Sequence, residues 1–287
     1  MKKTKLVITG ATGFIGKGVI EYIKRNYRNC SLVAVARDKV KLKKLGCDYL
    51  QYDINSCQEN CFNLLGRPDI LLHLAWENLE DYNSLSHIEK ILPNHFHFIK
   101  SMVLGGLKKL VVTGTCYEYG NQNGCLSEDM PTNPELPYSI AKDTLRKYIE
   151  KLNKQFQFSY QWLRVFFVYG EGQKEKTLFG QFEKALKNKE KSFDMSFGEQ
   201  IRDYLHVSEL SKYISDLTLI SKSNGIINVC SGSPISVRRL VENWLKQKGK
   251  KMRLNLGVYP YPKHEPLAFW GSNQRLKKIM NNKINES

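Results

Sequence analysis

The sequence has no run of about 18 apolar residues, the length that spans a bilayer, so no transmembrane helix is expected. It lacks a CxxC pair, and its cysteines (Cys30, Cys47, Cys57, Cys61, Cys116, Cys125 and Cys230) are odd in number. That usage argues against a disulfide framework or a structural zinc site, no metal is expected, and a reducing compartment fits best. No apolar signal region precedes the first strand, and the expected location is the cytoplasm. Acidic residues are scarce, 28 against 44 basic ones, for a formal net charge of +16 and a pI near 9.4. The excess favours anionic partners. There is, however, no RNP motif, no zinc-finger spacing and no basic region leading into heptads. Nucleic acid is therefore not the expected partner. Phosphorylated small molecules are, and most of the lysines read as solvated surface. No internal repeat or low-complexity tract is visible.

What is present is a chain of 287 residues, 41% hydrophobic, long enough for one large domain carrying a smaller one. Residues 5–9 (KLVIT) form a short apolar run ending at Gly10. A helical pattern follows, with Ile15, Val19, Ile20 and Ile23 on one face. Residues 31–36, 69–74, 110–113 and 160–168 read as further strands, and 139–152 as a helix. Apolar strands alternating with amphipathic helices predict an α/β fold, a Rossmann-like doubly wound parallel sheet. After about residue 168 the pattern becomes irregular, and a smaller carboxy-terminal unit is expected. Strand and helix signals at 226–229 and 237–246 are read as part of it. Residues 204–220 are read as a helix returning to the first domain. The proline-rich stretch 259–266 (YPYPKHEP) reads as loop.

The first strand runs into Gly10-Ala11-Thr12-Gly13-Phe14-Ile15-Gly16. Glycines at this point permit a tight turn, admit a pyrophosphate close to the backbone and let helix and strand approach. The free amides of the helix start then favour the anion. A strand on one side and a helix on the other are the context such a motif needs. An acidic residue closing the second strand would bind the adenosine ribose of NAD(H); here the strand ends Ala36-Arg37-Asp38. Arg37 suits a 2′-phosphate and makes NADP(H) the preferred dinucleotide, while Asp38 keeps NAD(H) open. Asp53, after a third strand, is a candidate acceptor for an adenine amine; the plainer reading is a turn aspartate.

Tyr138 and Lys142 stand four apart on one helix face, with Pro137 at the helix entrance. A free phenol titrates near 10, and a nearby lysine would pull it toward neutrality. The alternative is a surface pair on an amphipathic helix. Thr115 strengthens the catalytic reading, because it follows the fourth strand, where ligands bind in this architecture.

Together these residues resemble the extended short-chain dehydrogenase/reductase family, the nucleotide-sugar epimerases, dehydratases and reductases. The resemblance covers nearly the whole chain. It is carried by GATGFIG at 10–16, Asp53, HLA at 73–75, Asn94, TGTCYEYG at 113–120, SED at 127–129, PYSIAK at 137–142, LRVFFVYGEGQ at 163–173 and RDYLHV at 202–207. It implies a dinucleotide-binding domain over residues 1–168, with about 204–222 added, and a substrate-binding domain mainly over 169–287. It implies a catalytic trio of Thr115, Tyr138 and Lys142. Gly10, Thr12, Gly13, Phe14, Ile15, Gly16, Arg37, Asp53, Ile54, Leu74 and Ala75 would line the dinucleotide with Tyr138 and Lys142. Thr115, Cys116, Tyr117, Phe167 and Arg202 would face a nucleotide-diphosphate sugar, Arg202 at the diphosphate. An ion pair with Asp203 is the competing reading of Arg202. A homodimer through residues 85–104 and 139–152 is also implied.

Departures from the family pattern narrow the activity. Dehydratases of the family carry Asp-Glu after the catalytic threonine, where this chain has Cys116-Tyr117. In the fucose-type epimerase–reductases a cysteine falls at the position of Tyr117. Neither dehydration nor 3,5-epimerisation is therefore expected. An asparagine common before VYG is here Phe167. The expected activity is a 4-ketoreductase or dehydrogenase on a nucleotide-linked 6-deoxyhexose. A C4 epimerase with tightly held NAD is the alternative enzyme. A non-catalytic dinucleotide-sensing or RNA-binding protein has only the +16 charge in its favour.

Overall fold

In the computed structural model, which describes residues 3–56, 60–261 and 266–284, the strand–helix alternation winds a parallel sheet in two directions. Cys57 and residues 262–265 of the proline-rich stretch lie outside the described residues. The first half comprises β1 (Thr4–Thr9), α1 (Phe14–Asn26), β2 (Cys30–Ala36), α2 (Lys39–Lys43), β3 (Asp48–Gln51), α3 (Cys61–Leu64) and β4 (Ile70–His73). There follow α4 (Leu92–Leu104), β5 (Lys109–Thr115), β6 (Gly124–Leu126), α5 (Pro137–Phe156), β7 (Ser159–Val165) and β8 (Phe167–Tyr169). The remainder is α6 (Leu178–Lys187), β9 (Ser192–Asp194), β10 (Ile201–His206), α7 (Val207–Leu219), β11 (Gly225–Val229), β12 (Pro234–Ser236), α8 (Val237–Gln247), β13 (Arg253–Asn255), β14 (Phe269–Gly271) and α9 (Gln274–Ile284).

Seven strands form the large sheet in the order β11-β7-β5-β4-β1-β2-β3, every neighbouring pair parallel. From β1 the chain moves outward to β2 and β3, then crosses back to β4 on the other side of β1. That reversal opens a crevice at the carboxyl ends of β1 and β4, the place where this architecture takes ligands. The strands read as unbroken apolar runs because both faces are covered. Leu6 and Ile8 of β1 pack under Val19, Ile20 and Ile23 of α1 and Leu210, Ile214 and Leu217 of α7. Val7 points the other way, into Phe98, Ile99 and Met102 of α4 and Leu145 and Ile149 of α5. Lys109 ties α7 to the sheet: its half-buried ammonium donates at 2.8 Å to the carbonyls of Leu217, Thr218 and Ser221 at the helix end. Burial holds that ammonium down at about 8.

A second, smaller core brings Phe179 and Phe182 of α6 against Phe193 and Met195 and against Leu240, Val241 and Trp244 of α8. Beside it lies a three-stranded sheet in the order β12-β10-β8. Three sequence expectations shift here. The single strand expected over 160–168 divides at Phe166: β7 stays in the large sheet and β8 pairs with β10 instead. Nothing in the apolar run Val165-Phe166-Phe167 marks that exit. Residues Tyr204 to His206 are the end of β10 rather than helix, and the His206 side chain accepts from the Ser208 amide to start α7. The strand at Gly225–Val229, read as part of the smaller unit, is the edge of the large sheet, paired with β7. Cys30, Cys47, Cys116, Cys125 and Cys230 are free. Among the described residues no helix is long and apolar enough to cross a membrane.

Candidate active site

The glycine loop is built against the end of β4. Gly10 has φ +69°, and a Cβ there would stand 2.7 Å from the Ala75 amide nitrogen and 2.8 Å from the Leu74 carbonyl carbon. A Cβ on Gly16 would meet the Gly10 carbonyl at 2.5 Å. Only glycine fits both positions. The first helical bond of α1 runs from Lys17 to the Gly13 carbonyl at 3.1 Å, and no side chain caps the helix. The amides of Phe14, Ile15 and Gly16 therefore point out of the helix start without helical acceptors. Thr12, Phe14, Ile15, Leu74 and Ala75 are half-buried around the crevice. Free amides, a backbone approach too close for a side chain and a helix dipole fit the pyrophosphate of a dinucleotide.

The other expected dinucleotide contacts sit less simply. Arg37, at the end of β2, is 61% exposed and forms an ion pair with Glu77 beyond β4. Asp38 caps α2 by accepting from the Lys41 amide at 3.0 Å. Asp53 accepts from the Asn55 amide at 3.0 Å, at the head of a short turn that contains buried Ile54. That is the geometry of a turn aspartate, the plainer of its two readings.

Thr115, Tyr138 and Lys142 converge beside the crevice. Thr115 ends β5. Its hydroxyl accepts from the Tyr117 amide at 3.3 Å and lies on the side of the Tyr138 phenol. Pro137 starts α5, which places Tyr138 and Lys142 one turn apart on its buried face. The Tyr138 ring stacks on Tyr82 with centroids 4.8 Å apart and meets the edges of His87 and Trp76 at 5.4 and 6.1 Å. Lys142 donates to the Thr113 carbonyl at 2.8 Å and lies 4.0 Å from the centre of the Trp76 ring.

The expected lysine effect on the phenol is not what this arrangement produces. Burial pushes the Tyr138 phenol well above 10, and the Thr115 hydroxyl only opposes that rise. The Lys142 ammonium is directed to a carbonyl and an indole face, and burial pulls it down to about 7. Both groups thus lean toward their neutral forms because charge is costly in this dry setting.

Glu118 holds the threonine in place and was not picked out by sequence. It is fully buried and accepts from the Thr115 amide at 2.8 Å, the Trp162 indole at 3.0 Å and Arg164 at 2.8 Å. With Thr115 it closes a capping box over the turn Cys116–Tyr119. Beneath the crevice lies a buried chain in which the Thr9 hydroxyl bonds His73, and His73 bonds His95, each at 2.7 Å. Burial drives His73 down to about 3 and His95 in the same direction.

A file of aromatic rings leads away from Tyr138. Tyr82 touches Tyr117 at 5.7 Å, Tyr117 touches Phe167 at 6.0 Å, and Phe167 lies 5.8 Å from the Arg202 guanidinium. Arg202 is buried and donates to the carbonyls of Ile201 and Leu267 at 2.9 and 3.1 Å. The Asp203 carboxylate is engaged elsewhere, by the amides of Ser231, Gly232 and Gly271. Cys116 is buried behind Tyr117, against Tyr119 and Phe166. Sequence reasoning missed Trp76, Glu77 and Tyr82. Their only signal was their position in the loop directly after β4, at the carboxyl edge of the sheet.

A doubly wound sheet with a glycine loop at its switch point, and a tyrosine, threonine and lysine gathered at its carboxyl edge, defines an enzyme of the extended short-chain dehydrogenase/reductase type. The sequence profile of the NAD dependent epimerase/dehydratase family matches residues 6–230, and the chain belongs to that family. It is similar to the dTDP-6-deoxy-L-talose 4-dehydrogenase (NAD(+)) of Aggregatibacter actinomycetemcomitans, 29% identical over 93% of this chain and 99% of that protein. It is also similar to the GDP-6-deoxy-D-talose 4-dehydrogenase of the same organism, 25% identical over 83% of this chain and 78% of that one. Among solved structures, the UDP-glucuronic acid 4-epimerase of Bacillus cereus, in complex with UDP-glucuronic acid and NAD, superposes with a TM-score of 0.82. That match covers 97% of this chain and 93% of the other at 21% identity, a likeness of fold.

Proposed function

We propose that this chain is a dehydrogenase, in reverse a ketoreductase, acting at C4 of a nucleotide-linked 6-deoxyhexose. The observation that carries the reading is the gathering of Thr115, at the carboxyl edge of β5, with Tyr138 and Lys142 on the buried face of α5, beside the crevice of the glycine loop. A bound nicotinamide dinucleotide would supply or accept the hydride. Gly10, Gly13 and Gly16 would admit its pyrophosphate, the open amides of α1 would hold it, and Lys142 would grip the neighbouring ribose. Tyr138, kept protonated by burial, would give its proton to the oxygen forming at C4 as the ketone is reduced. Thr115 would share that oxygen and keep the phenol in line.

The aromatic file supports the substrate class. Tyr82, Tyr117 and Phe167, each half-buried, would offer aromatic surface to the C–H groups and methyl of a deoxysugar. Arg202 stands at the far end with a planar fork suited to a diphosphate. The smaller unit, mainly residues 169–287, is read as the substrate-binding domain. The named activities of the two Aggregatibacter relatives agree with a 6-deoxyhexose oxidised at C4. Arg37 keeps 2′-phosphate recognition, and so NADP(H), within chemical reach; which dinucleotide is taken depends on its partner Glu77. The reading places the enzyme in the cytoplasm as a homodimer joined through α4 and α5, and light scattering should give twice the 33.2 kDa chain.

The test is a panel of dTDP-, GDP-, CDP- and UDP-linked 4-keto-6-deoxyhexoses with NADH and NADPH, products identified by mass and NMR. One sugar nucleotide should be reduced at C4 with stoichiometric consumption of reduced dinucleotide. Inversion at C4 of the matching nucleotide hexoses that carry a 4-hydroxyl, with no net change in the dinucleotide and no reduction of the 4-keto sugars, would replace this reading by an epimerase.

A further inference from the structure

A carboxylate sits on the arginine that would otherwise invite a 2′-phosphate. Arg37 closes β2 on one side of β1, and Glu77 follows β4 on the other. Their ion pair therefore spans the carboxyl end of β1, at the crevice that Gly10 opens. Glu77 is also held from a second direction. Its Oε1 accepts from Asn55 Nδ2 at 3.0 Å, and Asn55 Oδ1 accepts from Asn94 Nδ2 of α4 at 3.0 Å. An isolated pair on the surface would settle its partners weakly. Here Glu77 is only 29% exposed and is tethered independently of Arg37.

We infer that Glu77 selects the dinucleotide, favouring NAD(H) over NADP(H); this rests on reading the crevice as a dinucleotide site. In such sites an acidic group accepts the adenosine ribose hydroxyl, and it ordinarily comes from the end of the second strand. This second strand ends in Arg37 and Asp38, and the Asp38 carboxylate is committed to the start of α2. Glu77 brings the missing acid in from the loop after β4. It acts in two ways. It neutralises Arg37, and it puts a negative charge where a phosphate dianion would have to come. A 2′-phosphate would need to part the ion pair and then face the carboxylate. The preference for NADP(H) drawn from Arg37 alone took no account of this partner, which lies 40 residues along the chain.

Calorimetric titration of the full chain with NAD and with NADP tests this without any sugar substrate. The unaltered protein should bind NAD at least about tenfold more tightly than NADP. Glu77→Gln should raise the affinity for NADP about tenfold, and Arg37→Ala added to it should abolish that gain. Glu77→Asp, which keeps the charge, should keep the preference. Equal affinities, a preference for NADP, or an unchanged ratio in Glu77→Gln would overturn the inference and leave the dinucleotide site standing. Failure to bind either dinucleotide would overturn the site and the inference together.

Discussion

Glu118→Ala removes the one carboxylate that holds the Thr115 turn to the sheet. Glu118 is fully buried, and so is its partner Arg164, at 1% exposure. Without the carboxylate, Arg164 becomes a buried cation lacking its counter-charge; one of its nitrogens already has no hydrogen-bond partner. Removing one member of a buried pair costs about 3–5 kcal/mol. The Thr115 amide and the Trp162 indole lose their acceptor as well, at roughly 1–3 kcal/mol each if water cannot replace it. These costs overlap, so the expected loss is about 4–6 kcal/mol, a large part of the ~5–15 kcal/mol by which domains are usually stable. Urea unfolding followed by circular dichroism measures it. The double variant Glu118→Leu/Arg164→Met should be more stable than Glu118→Ala, because no charge is then stranded. A loss below about 1 kcal/mol in Glu118→Ala, or a double variant weaker than either single one, would refute the reasoning.

Three further outcomes are expected. Tyr138→Phe should lower kcat by about 10²–10⁴ while dinucleotide titration and the unfolding midpoint stay close to those of the parent, since only a proton donor is removed; a parental rate would take Tyr138 out of its role. Gly10→Ala must place a side chain at φ +69° and against the Ala75 amide, so it should abolish dinucleotide binding and cost at least ~1–3 kcal/mol in unfolding free energy. His73 titrates near 6.5 when unfolded and is held at about 3 when folded, so its contribution is complete above pH 6.5 and is lost as the pH falls toward 3. At pH 5.5 it should lower stability by roughly 1 kcal/mol relative to neutral pH, with His95 adding to the loss, and His73→Gln should reduce the dependence.

Much of the fold could be read from sequence because its signals are local. The apolar run of β1, the glycines that end it and the spacing of Val19, Ile20 and Ile23 all lie within one βα unit, and the structure places them as that pattern requires. The strand signals were less able to say which sheet each strand joins. Val165, Phe166 and Phe167 are equally apolar, yet the chain leaves the large sheet between them. Gly225–Val229 follows a stretch of irregular sequence, and only its pairing with β7 returns it to the first core. Pairing partners 64 residues apart leave no periodicity to find.

The same boundary runs through the site. Tyr138 and Lys142 share a helix face, so their spacing announces them, and Gly10 and Gly16 carry their own steric signature. Glu118 looks like an ordinary polar residue in a turn; its burial follows from Trp162 and Arg164, two strand residues more than 40 positions away. Gly114 preceding Thr115 makes room for that carboxylate, because a Cβ there would collide with both Glu118 and the Trp162 indole. Arg37 and Glu77 make the sharper case. Read singly, the first argues for a phosphate and the second for nothing. Paired across β1, they cancel the positive charge that Arg37 alone would present at that end of the crevice. A residue's type sets what it can bind, but its charged neighbour decides whether that capacity is open to a ligand, and here the neighbour comes from a different βα unit.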